Sequence, residues 1–245
     1  KVVFANTGKE MPQTLDFVRD MQDHWGVDVT WVELASMKLI KHEGKRNEVI
    51  KEYKIVDYDS AARAGEPFSI LLQAMPAIPN VRGRYCTGYL KRRAINWLMR
   101  GLYPGIEYIS LIGLRADEHR RAVKIRNTVQ EGTLIVLPMY DAGDSVEDVA
   151  QFWESNNFDL DPPLTGRGVT DWGNCDLCFL KATSKRLSII TSIPEIANWW
   201  IEIEEKKQQR FRRDTPSYKD LQIIAKDQGD LFGFDDETIP CFCGD

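Results

Sequence analysis

Residues 1–10 read KVVFANTGKE, and this stretch sets the expected fold of the chain. The apolar run Val2–Ala5 is typical of a buried parallel strand. Apolar residues at helical spacing predict a helix over residues 11–25, and alternating residues predict a second strand over residues 27–34. Because a helix that joins two neighbouring strands normally makes a right-handed crossover, the strands should be parallel and the fold should be α/β.

The rest of the chain continues this alternation. Two more apolar runs, residues 108–113 and 133–138, predict strands. Residues 37–59 are polar and irregular, with one short strand expected at 53–56. Helical patterns occupy residues 67–75, 89–102, 146–155, 194–212 and 218–227, the third of them with Ser145 and Asp148 as its cap.

The composition is that of an ordinary globular protein. The 245 residues are 43% hydrophobic and 28% charged, no apolar run reaches the roughly 20 residues of a membrane span, and no signal peptide opens the chain. Five unevenly spaced cysteines fit a secreted disulfide framework poorly, so a cytoplasmic location without a membrane partner is expected. The net charge of −5 gives no general case for nucleic-acid binding, although basic runs occur at residues 91–93 and 206–213. The first run fits a solvated helix face or a phosphate-facing edge.

Residues 171–181 read DWGNCDLCFLK and carry the strongest chemical signal. Cys175 and Cys178, three residues apart in a polar turn, can both point at one metal ion or iron–sulfur cluster. The other cysteines of the chain are Cys86, Cys241 and Cys243. Spacing alone favours zinc over a cluster, with a redox pair and unliganded buried thiols as further readings. Cysteines that lie beside Gly or Pro in turns fit the last interpretation, unliganded buried thiols, poorly, because such thiols normally lie in apolar segments.

Polar residues follow two of the predicted strands, where ligands of parallel sheets bind. Asn6, Thr7 and Gly8 come after the first strand, and their pattern fits a plain turn as well as a ligand loop. Arg115 comes after the apolar run that ends at Gly113. A guanidinium there could bind phosphate or sulfate through two parallel hydrogen bonds.

Four motifs occur in the order found in phosphoadenosine-phosphosulfate reductases. They are FANTGKE at residues 4–10, RYCT at 84–87, GLRADE at 113–118 and CDLC at 175–178. The chain resembles the iron–sulfur-containing branch of this family, which belongs to the N-type ATP pyrophosphatase, or adenine nucleotide alpha-hydrolase, superfamily.

The resemblance implies a fold and a set of site residues. Residues 1–165 would form a mostly parallel five-stranded sheet with helices on both faces, and residues 166–245 a helical C-terminal region stapled by a cysteine cluster. An adenine nucleotide, either ATP or a sulfonucleotide and with Mg²⁺ as a further candidate, would contact Asn6, Thr7, Gly8, Gly113, Arg115, Glu118 and Arg121. The implied catalytic residues are Arg115, Lys91 and Cys241. A 4Fe–4S cluster, with zinc as the alternative, would be held by Cys86, Cys175, Cys178 and Cys243.

Three departures from the family are visible. The family opens with a Ser-Gly-Gly phosphate loop just before the point where this sequence starts, so a preceding segment is expected to carry it. Cys86 stands alone where adenylylsulfate reductases have two adjacent cysteines, so the fourth ligand is expected from the tail, from Cys241 or Cys243. The reductases end in Glu-Cys-Gly followed by His, whereas residues 241–245 read CFCGD.

Three functions follow from these observations. The first is an ATP-using sulfur-transfer enzyme that activates its substrate by adenylation, receives sulfur from a donor such as a cysteine desulfurase, and accepts a nucleic acid as one candidate substrate. The second is a reductase of adenylylsulfate or phosphoadenylylsulfate that uses a tail cysteine and thioredoxin. The third is a nucleotide-binding scaffold in which the cluster or zinc is structural.

Overall fold

The computed structural model describes residues 1–42, 48–127, 133–159, 170, 172–173 and 175–227. Within them the strands are β1 (Val2–Ala5), β2 (Val29–Ile40), β3 (Glu48–Val56), β4 (Tyr108–Leu111) and β5 (Thr133–Val136). The α-helices are α1 (Pro12–Trp25), α2 (Glu66–Ala74), α3 (Arg93–Leu102), α4 (His119–Arg126), α5 (Pro138–Ala142), α6 (Val146–Glu154), α7 (Thr183–Ser192), α8 (Asn198–Lys207) and α9 (Tyr218–Asp227). A π-helix, Thr87–Arg92, runs directly into α3, and 3₁₀ turns cover Ala116–Glu118 and Pro194–Ala197.

The first strand–helix–strand unit forms as predicted, since β1 pairs in parallel with β2 along its whole length. Pro12 starts α1, where its missing N–H costs nothing, and Gly26 ends the helix with a φ of 61°. The buried face of α1 includes Leu15 and Val18, which belong to one apolar cluster with Trp31 of β2. This unit places the loop after β1 at the carboxyl end of the parallel pair.

A long hairpin replaces the irregular segment that was predicted over residues 37–59. β2 continues to Ile40 and pairs antiparallel with β3, from Trp31 opposite Val56 to Ile40 opposite Glu48. The prediction was wrong for residues 37–40 and 48–52, whereas the short strand expected at 53–56 is confirmed as the end of β3. Both strands are extended by pairing with each other, which is a contact between segments and not a local pattern. Only Tyr53 of β3 is buried.

The mostly parallel five-stranded sheet is a correction to the expected fold. The structure is α/β, but among the described residues it has a mixed three-stranded sheet, β1–β2–β3, and a separate two-stranded parallel sheet, β4–β5. β3 pairs antiparallel with the side of β2 that faces away from β1. Within the described residues, β4 pairs with β5 and with no other strand. The pairing of distant strands is a long-range property that apolar runs do not encode.

One core joins β1, β2 and β3 to the C-terminal helices, and a separate apolar cluster lies beside β4 and β5. The shared core contains Val32 and Leu34 of β2, Phe68 of α2 and Trp200 of α8. The rings of Phe68 and Trp200 meet edge to face at 5.9 Å. The domain boundary expected at residue 165 remains a prediction. The cysteine cluster expected to hold the C-terminal region includes tail residues that lie outside the described ones.

The helix predictions were accurate where caps mark the ends. Ser145 and Asp148 make the expected capping box at the start of α6. The helix predicted over residues 194–212 was too long, because Gln208 adopts a left-handed φ of 50° and ends α8. α4, α5 and α7 were not predicted.

Candidate functional site

Three cysteines from two distant segments of the sequence line one small apolar cavity. They are Cys86, Cys175 and Cys178, and the same cavity is lined by Thr7 and Lys91. Apolar walls come from Phe68, Leu90, Phe179, Leu180 and Trp200. The cavity therefore brings together the RYCT motif, the CDLC motif and the loop after β1.

Two structural elements position these thiols. Cys86 precedes the π-helix Thr87–Arg92, a helix type that often occurs at functional sites. Cys175 makes an isolated antiparallel bridge with Glu10, and the N–H of Cys178 donates to the carbonyl of Cys175 at 3.2 Å. The CDLC turn is thus attached by backbone contacts to the loop after β1.

Burial dominates the electrostatics of the thiols. It raises the pKa of Cys86 to about 11, with a further rise from neighbouring Cys178. Burial also raises the pKa of Cys175 well above its usual value, and the Glu10 carboxylate adds to the rise. Both groups are therefore neutral thiols at pH 7 in this form, and binding a metal as thiolates would release protons.

Cysteine thiolates are ligands of both iron–sulfur clusters and structural zinc, so the donor chemistry of the cavity suits either. Residues Cys86, Cys175 and Cys178 supply three such donors. Among the residues that the structure describes, no group of three or more His, Cys, Asp or Glu side chains is already spaced around one ion. The predicted fourth ligand and tail nucleophile, Cys243 and Cys241, lie outside the described residues.

The predicted nucleotide loop is buried, and its polar groups form hydrogen bonds with neighbouring residues of the protein. Asn6 donates its side-chain amide to Glu33 Oε1 at 2.6 Å and to the carbonyl of Ala62 at 2.8 Å. The N–H of Gly8 donates to Asn6 Oδ1 at 3.0 Å. The hydroxyl of Thr7 lies 3.6 Å from Cys175 Sγ, which connects this loop to the cysteine cavity.

A buried ion pair fastens the CDLC turn to the same loop. Lys9 Nζ lies 2.7 Å from Asp176 Oδ2, and both side chains are less than 10% exposed. The Lys9 ammonium also lies over the ring of Trp199, and the indole N–H of Trp200 donates to Asp176 Oδ1 at 2.8 Å. Burial raises the pKa of Asp176, and Lys9 opposes that rise.

Glu10 is a buried carboxylate next to the cavity. Its Oε2 accepts from the N–H of Thr7 at 2.9 Å and from the Thr7 hydroxyl at 2.8 Å. Its Oε1 has no hydrogen-bond partner in the part of the chain that the structure describes, and Lys91 Nζ lies 4.0 Å away. Lys91, the predicted catalytic lysine, is therefore beside the cysteines.

The predicted arginine motif forms a second cluster. Arg115 follows β4, and its Nε donates to Asp117 Oδ1 at 3.0 Å. The backbone N–H of Arg115 donates to Glu118 Oε2 at 3.1 Å, and Glu118 Oε1 pairs with Arg121. Arg121 keeps its Nε and Nη2 without partners among the described residues. Gly113 follows β4 by two residues, and a Cβ added to it would lie 3.5 Å from the sulfur of Met139.

The predicted residues thus fall into two groups. The first contains Asn6, Thr7, Gly8 and Lys91 with the three cysteines, and the second contains Gly113, Arg115, Glu118 and Arg121. Sequence reasoning missed Lys9, Glu10 and Asp176 as parts of the site. Their signal was present, because charged residues directly beside a ligand loop and inside a CxxC motif need partners when they are buried.

Comparison with known proteins gives one distant relationship. A relative is the "Uncharacterized nin region protein ORF290" of Escherichia phage lambda, which is 26% identical over 183 residues that cover 75% of this chain. The chain spans 57% of that relative's length. No family model matches the chain, and no solved structure matches it.

The helices of the described residues give no candidate for a membrane span, since none is both long enough and apolar enough.

Proposed function

We propose that this protein is an iron–sulfur-dependent, ATP-using sulfur-transfer enzyme similar to the phosphoadenosine-phosphosulfate reductases, and that it activates its substrate by adenylation. The observation that carries the proposal is the convergence of Cys86, Cys175 and Cys178 on one cavity beside the loop after β1. Thiols from two distant segments, placed next to a loop that resembles a nucleotide loop, fit this class better than isolated structural cysteines.

Cys86, Cys175 and Cys178 would hold a 4Fe–4S cluster, with Cys243 or Cys241 as the fourth ligand. The bound cluster would supply sulfur or electrons to the transfer. The chain's own residues orient the thiols through the Glu10–Cys175 bridge and the Lys9–Asp176 pair, and Phe179 and Trp200 exclude water from the cavity.

The nucleotide is proposed to contact both the loop of residues 6–8, which follows β1, and the arginine motif, which follows β4 in the separate two-stranded sheet. Arg115 is only partly exposed and already has carboxylate neighbours, so it would exchange Asp117 for a phosphate when a nucleotide binds. Lys91 would stabilise negative charge on the side that faces the cysteines.

A non-catalytic scaffold is the second candidate. It is favoured by the loop after β1, whose polar groups are occupied by Glu33, Ala62 and Glu10 rather than directed outward. In that case the cluster or a zinc ion would only hold the CDLC turn in place.

Nucleotide titration tests the enzyme proposal. ATP and adenylylsulfate are added separately to anaerobically prepared protein in a calorimeter, with Arg115→Gln as the test variant and the exposed Arg100→Gln as the control. Loss of a charged hydrogen bond should weaken nucleotide binding by about 10-fold or more in the first variant and leave the second unchanged. Absence of nucleotide binding by the unaltered protein would favour the scaffold. Sulfite release from adenylylsulfate with thioredoxin would identify a reductase.

A further inference from the structure

The strand β3 leaves one long edge of the three-stranded sheet open. It is the last strand in the order β1–β2–β3, and its inner edge pairs with β2 over all nine of its residues. Among the residues that the structure describes, no strand pairs with its outer edge, and the backbone groups of that edge make no hydrogen bond to another backbone group. Such a row of unpaired N–H and C=O groups is a template on which another strand can pair.

The side chains of β3 form a defined pattern along this edge. Because side chains alternate between the two faces of a strand, Ile50, Glu52, Lys54 and Val56 share one face, and Tyr53 lies on the other. Tyr53 is buried in the core, whereas Ile50 is 48% exposed. Glu52 and Lys54 are exposed as well. The accessible face of the edge therefore carries an anion and a cation with an apolar residue on either side.

Both charges keep room for a partner on the outer side. The Glu52 carboxylate accepts from the Ser36 hydroxyl at 2.8 Å, and Lys54 Nζ lies 3.4 Å from Glu33 Oε2. These neighbours belong to β2, on the inner side of β3. An ammonium has three donors and a carboxylate about four acceptor positions, so each group can take a further partner.

The sequence of the edge selects one way for it to pair with itself. A twofold axis perpendicular to the sheet makes two copies of the edge antiparallel, and directly opposite residues share a face, so the axis passes through a residue of β3. An axis at Lys51, Glu52 or Lys54 would set two like charges opposite each other, which is unfavourable. An axis at Tyr53 instead sets Glu52 opposite the second copy's Lys54, and Lys54 opposite the second copy's Glu52.

We propose that the outer edge of β3 pairs with the same edge of a second copy about a twofold axis at Tyr53, and that this joins their sheets into one. The register matches Glu52 with Lys54 and Ile50 with Val56, each pair formed twice by symmetry. Lysine on an edge strand normally blocks pairing, but here it meets a carboxylate. None of these residues lines the cysteine cavity, so the inference goes beyond the proposed sulfur transfer and does not depend on it.

Sedimentation velocity of the full chain, over a concentration range of about 5–500 µM, tests the proposal. We expect a reversible equilibrium between monomer and dimer. Glu52→Lys sets two lysines opposite each other at both ends of the register, so it should weaken the dimer about tenfold or more. Glu154→Lys is the matched control, because it makes the same change of charge at an exposed position on α6 and should leave the dimer unchanged.

A mixture of two single variants tests the register itself. Lys54→Glu alone should also weaken the dimer, because it sets two carboxylates opposite each other. Mixed with Glu52→Lys, it should restore a dimer about as tight as that of the unaltered protein, since each charged pair across the edge is then of opposite sign. Lys54 lies beside the buried Glu33, so circular dichroism checks that Lys54→Glu is folded.

Hydrogen exchange of residues 50–56 in the unaltered protein needs no variant. Their amides should exchange more slowly at the high end of the concentration range than at the low end. A monomer at every concentration would overturn the proposal, as would equal weakening by Glu52→Lys and Glu154→Lys. Exchange of residues 50–56 that does not depend on concentration would overturn it as well. Folded single variants whose mixture stays monomeric would refute the register at Tyr53.

Discussion

Gly8 is the residue on which the loop after β1 most depends. Its φ is 76°, and a Cβ added there would lie 2.8 Å from Pro67 Cδ. Gly8→Ala should therefore combine backbone strain with a steric clash and lower the free energy of unfolding by about 2–4 kcal/mol. Gly26 has a similar φ of 61° but open space around it, so Gly26→Ala should cost only about 1 kcal/mol. Urea unfolding of the two variants makes the comparison, and equal losses would show that Gly8 is not confined by its neighbours.

The Lys9–Asp176 pair should couple the loop to the CDLC turn energetically. Removing one partner leaves the other charge buried, so Lys9→Met and Asp176→Asn should each cost about 3 kcal/mol. The double variant should cost less than the sum of the two, with a coupling energy of about 1–3 kcal/mol. The exposed Lys206–Glu202 pair is the control, and Lys206→Met should cost less than about 1 kcal/mol. Strict additivity at Lys9 and Asp176 would contradict the proposed staple.

Glu204 provides a prediction about pH. Burial raises the pKa of Glu204, and its two backbone hydrogen bonds oppose that rise. A carboxyl whose folded-state pKa lies above its ordinary value of 4.5 holds its proton more tightly when folded, so it stabilises the fold increasingly as the pH falls through that raised pKa towards 4.5. Glu204→Gln cannot titrate. The stability advantage of the unaltered protein over this variant should thus be larger at pH 5 than at pH 7 in urea unfolding, and an advantage that shrinks on acidification would contradict the assignment.

At the scale of elements, the helix α9 should be stabilised by the packing of one face against the core, while its other face is exposed. Leu221 is fully buried in the shared core, whereas Ile223 two residues later is 52% exposed. Leu221→Ala should lower the free energy of unfolding by about 2–5 kcal/mol, and Ile223→Ala by less than about 1 kcal/mol. Thermal unfolding followed by circular dichroism distinguishes the two variants. Similar losses would mean that α9 is packed differently.

The helices and strands also show which features of the fold can be predicted from the sequence. Val2–Ala5 and Tyr218–Asp227 were predicted correctly as a strand and a helix because a compact apolar run and helical periodicity are local signals, although Ala5 alone of the strand is buried. The long hairpin β2–β3 and the separation of β4–β5 were missed, since strand pairing depends on contacts between distant residues. α7 was missed because its pattern, TSKRLSIITS, has a buried side without clear helical periodicity.

In the candidate site too, the sequence predicts the residue types but not the contacts between them. The residue types were predictable, because the spacing of the CxxC motif is typical of a metal or cluster site and the family resemblance implies that the upstream cysteine joins it. Their partners were not, because the Lys9–Asp176 pair and the Glu10–Cys175 bridge join residues more than 160 positions apart. Burial of Glu10 beside Lys91 likewise depends on how the π-helix packs against the loop after β1.

At the scale of the whole molecule, one apolar core connects the end of β1, the cysteine cavity and the C-terminal helices. A ligand that draws Cys86, Cys175 and Cys178 together would therefore stabilise the elements that share this core, from β1 to α9, and not the CDLC turn alone. Holding the cluster should raise the midpoint of thermal unfolding relative to metal-free protein.

Iron and acid-labile sulfide analysis of protein purified without oxygen tests the central claim most directly. The account predicts about four iron and four sulfide per chain with a brown visible absorbance, and loss of both in Cys175→Ser and Cys178→Ser. Ser145→Ala, which removes a distant helix cap, should keep the full iron content. One zinc per chain without iron, or no metal at all in folded protein, would contradict the account.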